Sequence, residues 1–515
     1  MNWRKIKLIL SKYGITALLI VVEVAGIVIS FMVLERISPI VSILIKVVAF
    51  AAFISIVNRD TSPENKLPWI TIVLISPLAG SIIYFIFFER RLSRKNVKHL
   101  EKMSEIMSSV EKRDGIDENV ANRIREEHPA TYSKAMLLFH DDIYANVYTD
   151  TKTEYFSTGE EMYAATKEDL MSAKNFIFLE FFIVDFGVMW GEMLDLLKAK
   201  HAEGVEIRML YDDIGCMGTL PANYDRKLRE MGIECYKFGR IYPNASPMHN
   251  NRDHRKIIVV DGKVGYTGGI NLADEYINKK ERFGYWKDGG IRLVGAGVEG
   301  LTRLFLMNWD LNQKTISNYV KYFKESRPYT GEGSQGFIIP FGSGPKPFYK
   351  RSTGKDLFLN MINQASDYVY ITTPYLIIDN TLTEALQNAA IRGVDVRIIT
   401  PRIPDKKLVY IMTRSSYGSL IKNGVKIYEF LPGFIHMKNV VSDDVYAVCG
   451  TINFDYRSFA HHFEDAVFMC GADAIPAVKR DFIETMQKSE KVERVKLTFA
   501  EKMVRDCVQL LVPLL

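Results

Sequence analysis

A chain of 515 residues is too long for a single hydrophobic core, so two or three folded units are expected. Its 66 basic and 61 acidic side chains leave a net charge of +5, too mild to point to a nucleic-acid backbone as partner. Five scattered cysteines (Cys216, Cys235, Cys449, Cys470, Cys507) include no CxxC pair, which argues for free thiols in a reducing compartment and against a disulfide framework or a zinc site.

Residues 1–90 differ in material from the rest. Ile15–Leu34 is apolar except for Glu23, Pro39–Val57 is apolar except for Lys46, and Pro68–Phe88 carries no charge. A membrane-crossing helix needs about 20 apolar residues, so residues 1–90 are expected to form a multi-pass transmembrane region. Glu23 and Lys46 would be costly in hydrocarbon unless they face each other. Basic clusters flank this region: Arg4, Lys5, Lys7 and Lys12 before it, Arg90, Arg91, Arg94, Lys95 and Lys98 after it. With three spans they fall on opposite sides, and the stronger second cluster favours a cytoplasmic catalytic part. Residues 91–130 are highly charged and read as a helical or partly mobile linker.

An α/β pattern follows. Asn175–Val184 is a buried-strand run, Gly187–His201 has helical apolar spacing, and Val205–Tyr211 and Ile257–Val260 are further strands. Strands alternating with helices imply a largely parallel, sandwiched sheet. The second half repeats the plan: Asp367–Ile378 corresponds to the first strand, and Gly393-Val-Asp-Val-Arg-Ile-Ile corresponds to Gly204-Val-Glu-Ile-Arg-Met-Leu. Gly331–Lys346, rich in Gly, Ser and Pro, divides the halves into 131–330 and 331–515. The tail, Leu497–Leu515, has helical apolar spacing; core packing is the expected reading, with a helix on a bilayer surface as the alternative.

One stretch occurs twice. His254, Lys256, Asp261, Gly268 and Asn271 map onto His436, Lys438, Asp443, Gly450 and Asn453 at a single offset of 182 residues, so the chain contains an internal duplication. On an extended strand, side chains two apart share a face, so each His-x-Lys delivers an imidazole and an ammonium to one point. If the halves pack face to face, both pairs converge. Two lysines, with Asn271 and Asn453 as neutral donors, then make an electropositive cradle for a phosphodiester. One imidazole can attack phosphorus and become a phosphohistidine, while the other protonates the departing alcohol and deprotonates the incoming one. The lysines supply the positive charge, so no metal is required. Asp288 and Glu464 follow the two motifs and are the expected orienting carboxylates. Asp261 and Asp443, where their strands end, are expected to hold the motif's turn. His99, His128, His140, His201, His249, His461 and His462 lack this context and read as structural or surface residues.

The duplicated motif resembles the signature of the phospholipase D superfamily, two copies of His-x-Lys-x4-Asp-x6-Gly-x2-Asn, and within it the chain is most similar to bacterial cardiolipin synthases. Gly284-Tyr-Trp-Lys-Asp288, Thr373-Pro-Tyr375, Tyr428-Glu-Phe-Leu-Pro-Gly-Phe-Ile-His436 and Asn453-Phe-Asp-Tyr-Arg-Ser458 are further family-like strings. The resemblance implies an α/β fold: two pseudo-twofold-related phospholipase D-like α/β/α sandwich repeats after an N-terminal transmembrane helical region. It implies a catalytic set of His254, Lys256, Asp261, His436, Lys438 and Asp443, with His254 the nucleophile and His436 the acid. The implied reaction moves a phosphatidyl group between two phosphatidylglycerol molecules, giving cardiolipin and glycerol; a hydrolase using water, or a transferase with another alcohol, is the alternative. The implied partners are phosphatidylglycerol and anionic membrane lipids at the cell membrane, with no cofactor, no metal and no nucleic acid. Met437, Thr451, His462 and Cys216 stand where the family commonly has other residues and leave the motif intact.

Overall fold

A computed structural model describes residues 38–59, 61–87, 94–111, 126, 145–240, 251–324, 336–346, 348–495 and 497–509. By chain contacts these fall into two units, one holding the N-terminal helices with the C-terminal tail, the other the catalytic repeats.

In the first unit, α1 (Pro39–Val57) is 19 residues long, and among the described residues it alone is long and apolar enough to cross a membrane. At 1.5 Å per residue it reaches about 28 Å. Lys46 on it is exposed; its expected partner Glu23, the segment Ile15–Leu34 and the first basic cluster lie outside the described residues. The single span expected over Pro68–Phe88 is instead two helices, α2 (Pro63–Ile75) and α3 (Pro77–Phe87). Pro77 breaks it: a proline disfavours helical geometry in the residue before it, and Ser76 leaves the helix at φ −137° and ψ 88°. Eleven residues of α3 cover about 16 Å, too short for a bilayer. Ala52, Ile56, Trp69, Val73 and Tyr84 form a small core among the three helices, and the Tyr84 hydroxyl meets Ser55 Oγ at 3.0 Å.

The charged segment after this unit includes α4 (Arg94–Glu111). The first repeat then runs β1 (Thr151–Phe156), α5 (Gly159–Ser172), β2 (Phe176–Phe181), α6 (Val188–Ala202), β3 (Glu206–Asp212), α7 (Tyr224–Glu230), β4 (Glu234–Phe238), β5 (Arg252–Asp253), β6 (Ile257–Val260), β7 (Val264–Gly268), β8 (Tyr285–Lys287), β9 (Gly290–Gly295), α8 (Val298–Gln313) and α9 (Tyr319–Lys324). The second runs β10 (Phe337–Ser343), α10 (Thr353–Gln364), β11 (Tyr368–Thr372), β12 (Leu376–Ile377), α11 (Asn380–Ile391), β13 (Asp395–Pro401), α12 (Lys407–Lys422), β14 (Lys426–Phe430), β15 (Gly433–Ile435), β16 (Asn439–Ser442), β17 (Tyr446–Gly450), β18 (Phe454–Asp455), α13 (Tyr456–Ala460), β19 (His462–Cys470), α14 (Ile475–Gln487) and β20 (Ser489–Lys491).

The duplication is visible in strand order. The first sheet is β1-β9-β7-β6-β2-β3-β4 and the second is β10-β19-β17-β16-β11-β13-β14, with β20 added at its edge. Each sheet is mixed rather than largely parallel. β2, β3 and β4 are parallel, as are β11, β13 and β14. The motif instead folds as an antiparallel hairpin, β6–β7 or β16–β17, because its two strands are joined by a tight turn. Asp261 and Asp443 make that turn with φ of 53° and 54°, a conformation that Asp tolerates better than most residues. The Asp261 carboxylate accepts the backbone N–H groups of Lys174, Asn175 and Phe176 at 2.7–2.8 Å. Asp443 does the same for Ser366, Asp367 and Tyr368 at 2.9–3.0 Å. Each aspartate thus ties the hairpin to the start of the neighbouring parallel strand. The motif glycines have a steric reason: a Cβ at Gly268 would strike the Gly289 carbonyl, and one at Gly450 the Asp465 carbonyl.

Two short ladders stitch the repeats together. β5 of the first pairs in parallel with β19 of the second, and β15 of the second pairs in parallel with β8 of the first. Between the sheets lies a core that includes Phe178, Leu304, Phe305, Trp309, Ile435 and Met437. The tail forms α15 (Phe499–Gln509). Core packing does not hold for its apolar side: Phe499 and Met503 are 78% and 54% exposed.

Asp261→Ala or Asp443→Ala removes three charge-assisted hydrogen bonds and places Ala at positive φ. Each should lower unfolding stability by about 2–4 kcal/mol. Denaturant titration of the full chain in detergent measures this, and an unchanged midpoint would refute the turn-holding role.

Candidate active site

The two ladders decide where the histidines go. After β5 the chain runs extended through His254, Arg255 and Lys256 into β6, and the His254 N–H donates to the Phe463 carbonyl at 2.9 Å. After β15, the His436 N–H donates to the Lys287 carbonyl at 2.8 Å. Each histidine is therefore held beside the strand of the other repeat, one residue before that strand's carboxylate. His254 Nδ1 lies 2.9 Å from Glu464 Oε2, and His436 Nδ1 lies 2.7 Å from Asp288 Oδ2. The carboxylate that follows each motif in sequence serves the histidine of the other motif. With Nδ1–H donating to a carboxylate, Nε2 of each ring keeps its lone pair for chemistry.

Lys256 and Lys438 sit two residues beyond the histidines, as strand alternation requires. Lys256 Nζ donates to the His254 carbonyl at 2.7 Å, and Lys438 Nζ makes the equivalent bond to His436. All four groups are buried, the two histidine side chains 8% and 9% exposed. Burial, followed by the nearby lysines, holds both imidazoles well below their usual pKa. Burial also pushes Lys256 down to about 8 and Lys438 to about 7, and pushes the Asp288 carboxyl up to about 7. The resting imidazoles are neutral, and an anion arriving between the lysines would favour their protonated forms.

The other expected residues divide. The Asn271 amide is spent on the protein: its Oδ1 accepts from Ile183 N–H at 3.0 Å and its Nδ2 donates to the Tyr276 hydroxyl at 2.7 Å. Tyr276 packs edge-on against the His436 ring at 5.6 Å, so Asn271 positions that wall. Asn453 keeps a buried Oδ1 without a partner. Asp261 and Asp443 lie seven residues beyond their histidines, about 23 Å along an extended chain, with the hairpin turns rather than with the imidazoles.

His462 carries no motif signal, and its context appears only in three dimensions. Its ring lies 5.3 Å from that of His254, and its Nδ1 is 3.5 Å from Glu464 Oε1. Arg457 Nε donates to His462 Nε2 at 3.1 Å, which places the His462 proton on Nδ1, facing Glu464. Burial pushes the His462 pKa down to about 3, so the ring stays neutral. Thr451 Oγ1 donates to the same carboxylate. Cys216 accepts the Val184 N–H through Sγ at 3.2 Å, and its thiol faces the Phe182 carbonyl; the Phe182 ring packs against His254 at 5.2 Å. Met437 points away from the site into the core between the repeats, where the Tyr155 hydroxyl reaches its sulfur. Among the described residues, His254, His462 and Glu464 are the one group whose ligand atoms lie close enough, within 4.8 Å, to hold a metal ion. The Arg457 bond argues against that use, because it leaves His462 presenting N–H rather than a lone pair to the cluster.

Comparison with known proteins places these residues in context. A family profile described as "Cardiolipin synthase, PLD-like domain" matches residues 167–282 and 358–486, and one described as "Phospholipase_D-nuclease N-terminal" matches 47–87. An uncharacterized protein of Streptococcus mutans serotype c is 40% identical over 468 residues, covering 89% of this chain and 98% of its own. A cardiolipin synthase of Halalkalibacterium halodurans is 31% identical over 453 residues, covering 88% of each chain. Among solved structures, a phosphatidylserine synthase of Haemophilus influenzae shares the fold, with a TM-score of 0.52 at 14% identity over 70% of this chain and 93% of its own.

His462→Phe keeps an aromatic ring and loses the polar Nδ1 edge that faces Glu464 at 3.5 Å. Turnover should fall about fivefold, the equivalent of about 1 kcal/mol of lost polar interaction with Glu464. His462→Asn, whose amide can donate to the carboxylate, should restore it. Equal loss in both variants, measured by steady-state rates on folded protein, would leave His462 a space-filling residue.

Proposed function

The chain belongs to the cardiolipin synthase family of phospholipase D-like proteins, and on that premise we propose that it joins two phosphatidylglycerol molecules into cardiolipin and glycerol through a phosphohistidine. The observation that carries the reading is the pair of crossed contacts, His254–Glu464 and His436–Asp288: each occupies Nδ1, which makes Nε2 the nitrogen for chemistry, and a buried lysine follows each histidine two residues on. The headgroup phosphate of the first lipid enters between Lys256 and Lys438. His254 Nε2 attacks phosphorus, and the P–O bond to glycerol breaks as His436 protonates the leaving oxygen. A hydroxyl on the glycerol of a second lipid then gives its proton to His436 and attacks phosphorus. The P–N bond breaks, and His254 is regenerated.

The roles follow from the surroundings. A neutral imidazole is required for attack, and burial with the two lysines keeps His254 neutral at rest. Glu464 stabilises the cationic ring that forms once Nε2 bonds phosphorus. Asp288, pushed up to about 7 by burial, forms with His436 a pair able to hold and release one proton near neutrality. The lysines take the charge on the non-bridging oxygens. α1, 19 residues long and apolar, is the anchor at the cell membrane. The repeats are assigned to the cytoplasmic side, supported by the buried free thiols Cys216, Cys235, Cys449 and Cys470.

Full-length protein in phosphatidylglycerol vesicles should form cardiolipin and free glycerol in equal amounts, read by mass spectrometry; phosphatidic acid alone would make water the acceptor and overturn the transferase reading. His254→Ala and His436→Ala should each lower the rate by about 10²–10⁴-fold, and near-normal turnover in either would refute a shared site.

The lysines also set a pH limit. Their folded-state pKa values lie below the usual lysine range, and anion binding needs the protonated forms. kcat/KM should therefore hold on the acid side and fall as pH rises through about 7 to 8. Lys438→Arg keeps its proton throughout, so its profile should fall less steeply near pH 7, leaving the loss of the Asp288–His436 proton there. A profile identical to the parent's would remove Lys438 from phosphate binding.

A further inference from the structure

The loops that follow the parallel strands all open at the end of the sheets where the histidines lie, because β6 and β16 run antiparallel to β2 and β11 and begin there. Large apolar side chains stand exposed on those loops. After β2 the chain leaves Phe182, packed on His254, and reaches Phe186 and Val188, 54% and 49% exposed. After β3 comes Ile214, whose neighbour Gly215 sits so close to the Phe182 carbonyl that a Cβ would strike it. In the second repeat, Ile403 and Leu408 follow β13 and Leu431 follows β14, all exposed. Between Ile403 and Leu408 are the exposed lysines Lys406 and Lys407. Lys406 lies near enough to act electrostatically on both His254 and His436, and its Nζ sits 5.7 Å from the ring of half-buried Tyr375. At the opposite end of the strands an exposed apolar residue such as Ile391 stands at the end of its own helix, which is ordinary for a protein surface.

We infer that this rim, Phe186, Val188, Ile214, Ile403, Leu408 and Leu431 with Lys406 and Lys407 between them, docks the mouth of the site onto an anionic lipid bilayer. The inference rests on the lipid substrate proposed above. The imidazoles lie below the surface, so a diacyl lipid can present its phosphodiester only if the headgroup enters while the acyl chains stay in hydrocarbon. That geometry requires the mouth to abut the bilayer without a water gap. Apolar side chains at the acyl boundary and lysines at the headgroup level fit such a surface. A second copy of the chain seated on the same rim would close the mouth to lipid.

The test uses the full chain in phosphatidylglycerol proteoliposomes containing lipid brominated on its acyl chains. Phe186→Trp and Ile403→Trp should each add fluorescence that the bromines quench, whereas fluorescence added by Ile391→Trp should stay unquenched. Equal behaviour at all three positions would overturn the inference. As a second measurement, replacing Phe186, Ile403 and Leu408 by Ser should slow turnover on vesicles by about tenfold or more and leave turnover of dispersed short-chain phosphatidylglycerol unchanged. Equal slowing on both substrates would also overturn it. Quenching needs no catalysis, so quenching without cardiolipin formation would sink the proposed reaction and keep the rim. Cardiolipin formation without quenching would do the reverse.

Discussion

Everything at this site depends on an exchange between the two repeats: each contributes a histidine and each supplies the carboxylate that holds the other's histidine. The exchange is built into the backbone before any side chain takes part. β5 pairs with β19 and β15 pairs with β8, and these short ladders bring Glu464 to His254 and Asp288 to His436. One repeat alone would hold an imidazole without its orienting acid and a buried carboxylate without its donor. Such groups are expensive to bury unpaired, so the arrangement ties the existence of the site to the docking of the two halves.

Burial gives the exchange its chemical value. In water a lysine and a histidine side by side would be protonated and weakly protonated, and neither would respond strongly to a neighbour. Buried in the crease between the sheets, Lys256, Lys438 and both imidazoles are driven toward their neutral forms by desolvation, and the lysines push the imidazoles further the same way. The empty site therefore lacks the negative charge that a phosphodiester would bring, and ligand entry and proton uptake are linked.

The two histidines are not equivalent, and the difference gathers on one side. Glu464 receives Thr451 and faces His462, and Cys216 braces the loop whose Phe182 packs on His254. Thr451, His462 and Cys216 thus converge on the side of His254. Around His436 the packing is aromatic instead, from Tyr276, Trp286 and Phe434. Met437, although next to His436 in sequence, sits in the core between the repeats and has no direct part in the site.

The sequence alone determined the duplication, the residues of the motif, their common strand face and the two carboxylates that follow them, because these depend on spacing and on the period-two geometry of a strand. It also determined the turn-holding aspartates, since an Asp at the end of a strand before Gly or Asp is local information. Tertiary structure decided which carboxylate meets which histidine, because that follows from pairing between segments some 150 to 210 residues apart. It decided that His462 belongs to the site while Asn271 spends its amide on Tyr276 and Ile183. It split an uncharged 21-residue run at Ser76–Pro77, where composition sees only apolarity and the proline ring dictates the backbone. It also made each sheet mixed, because the duplicated motif folds back on itself as a hairpin, a reversal that the alternation of strands and helices does not encode.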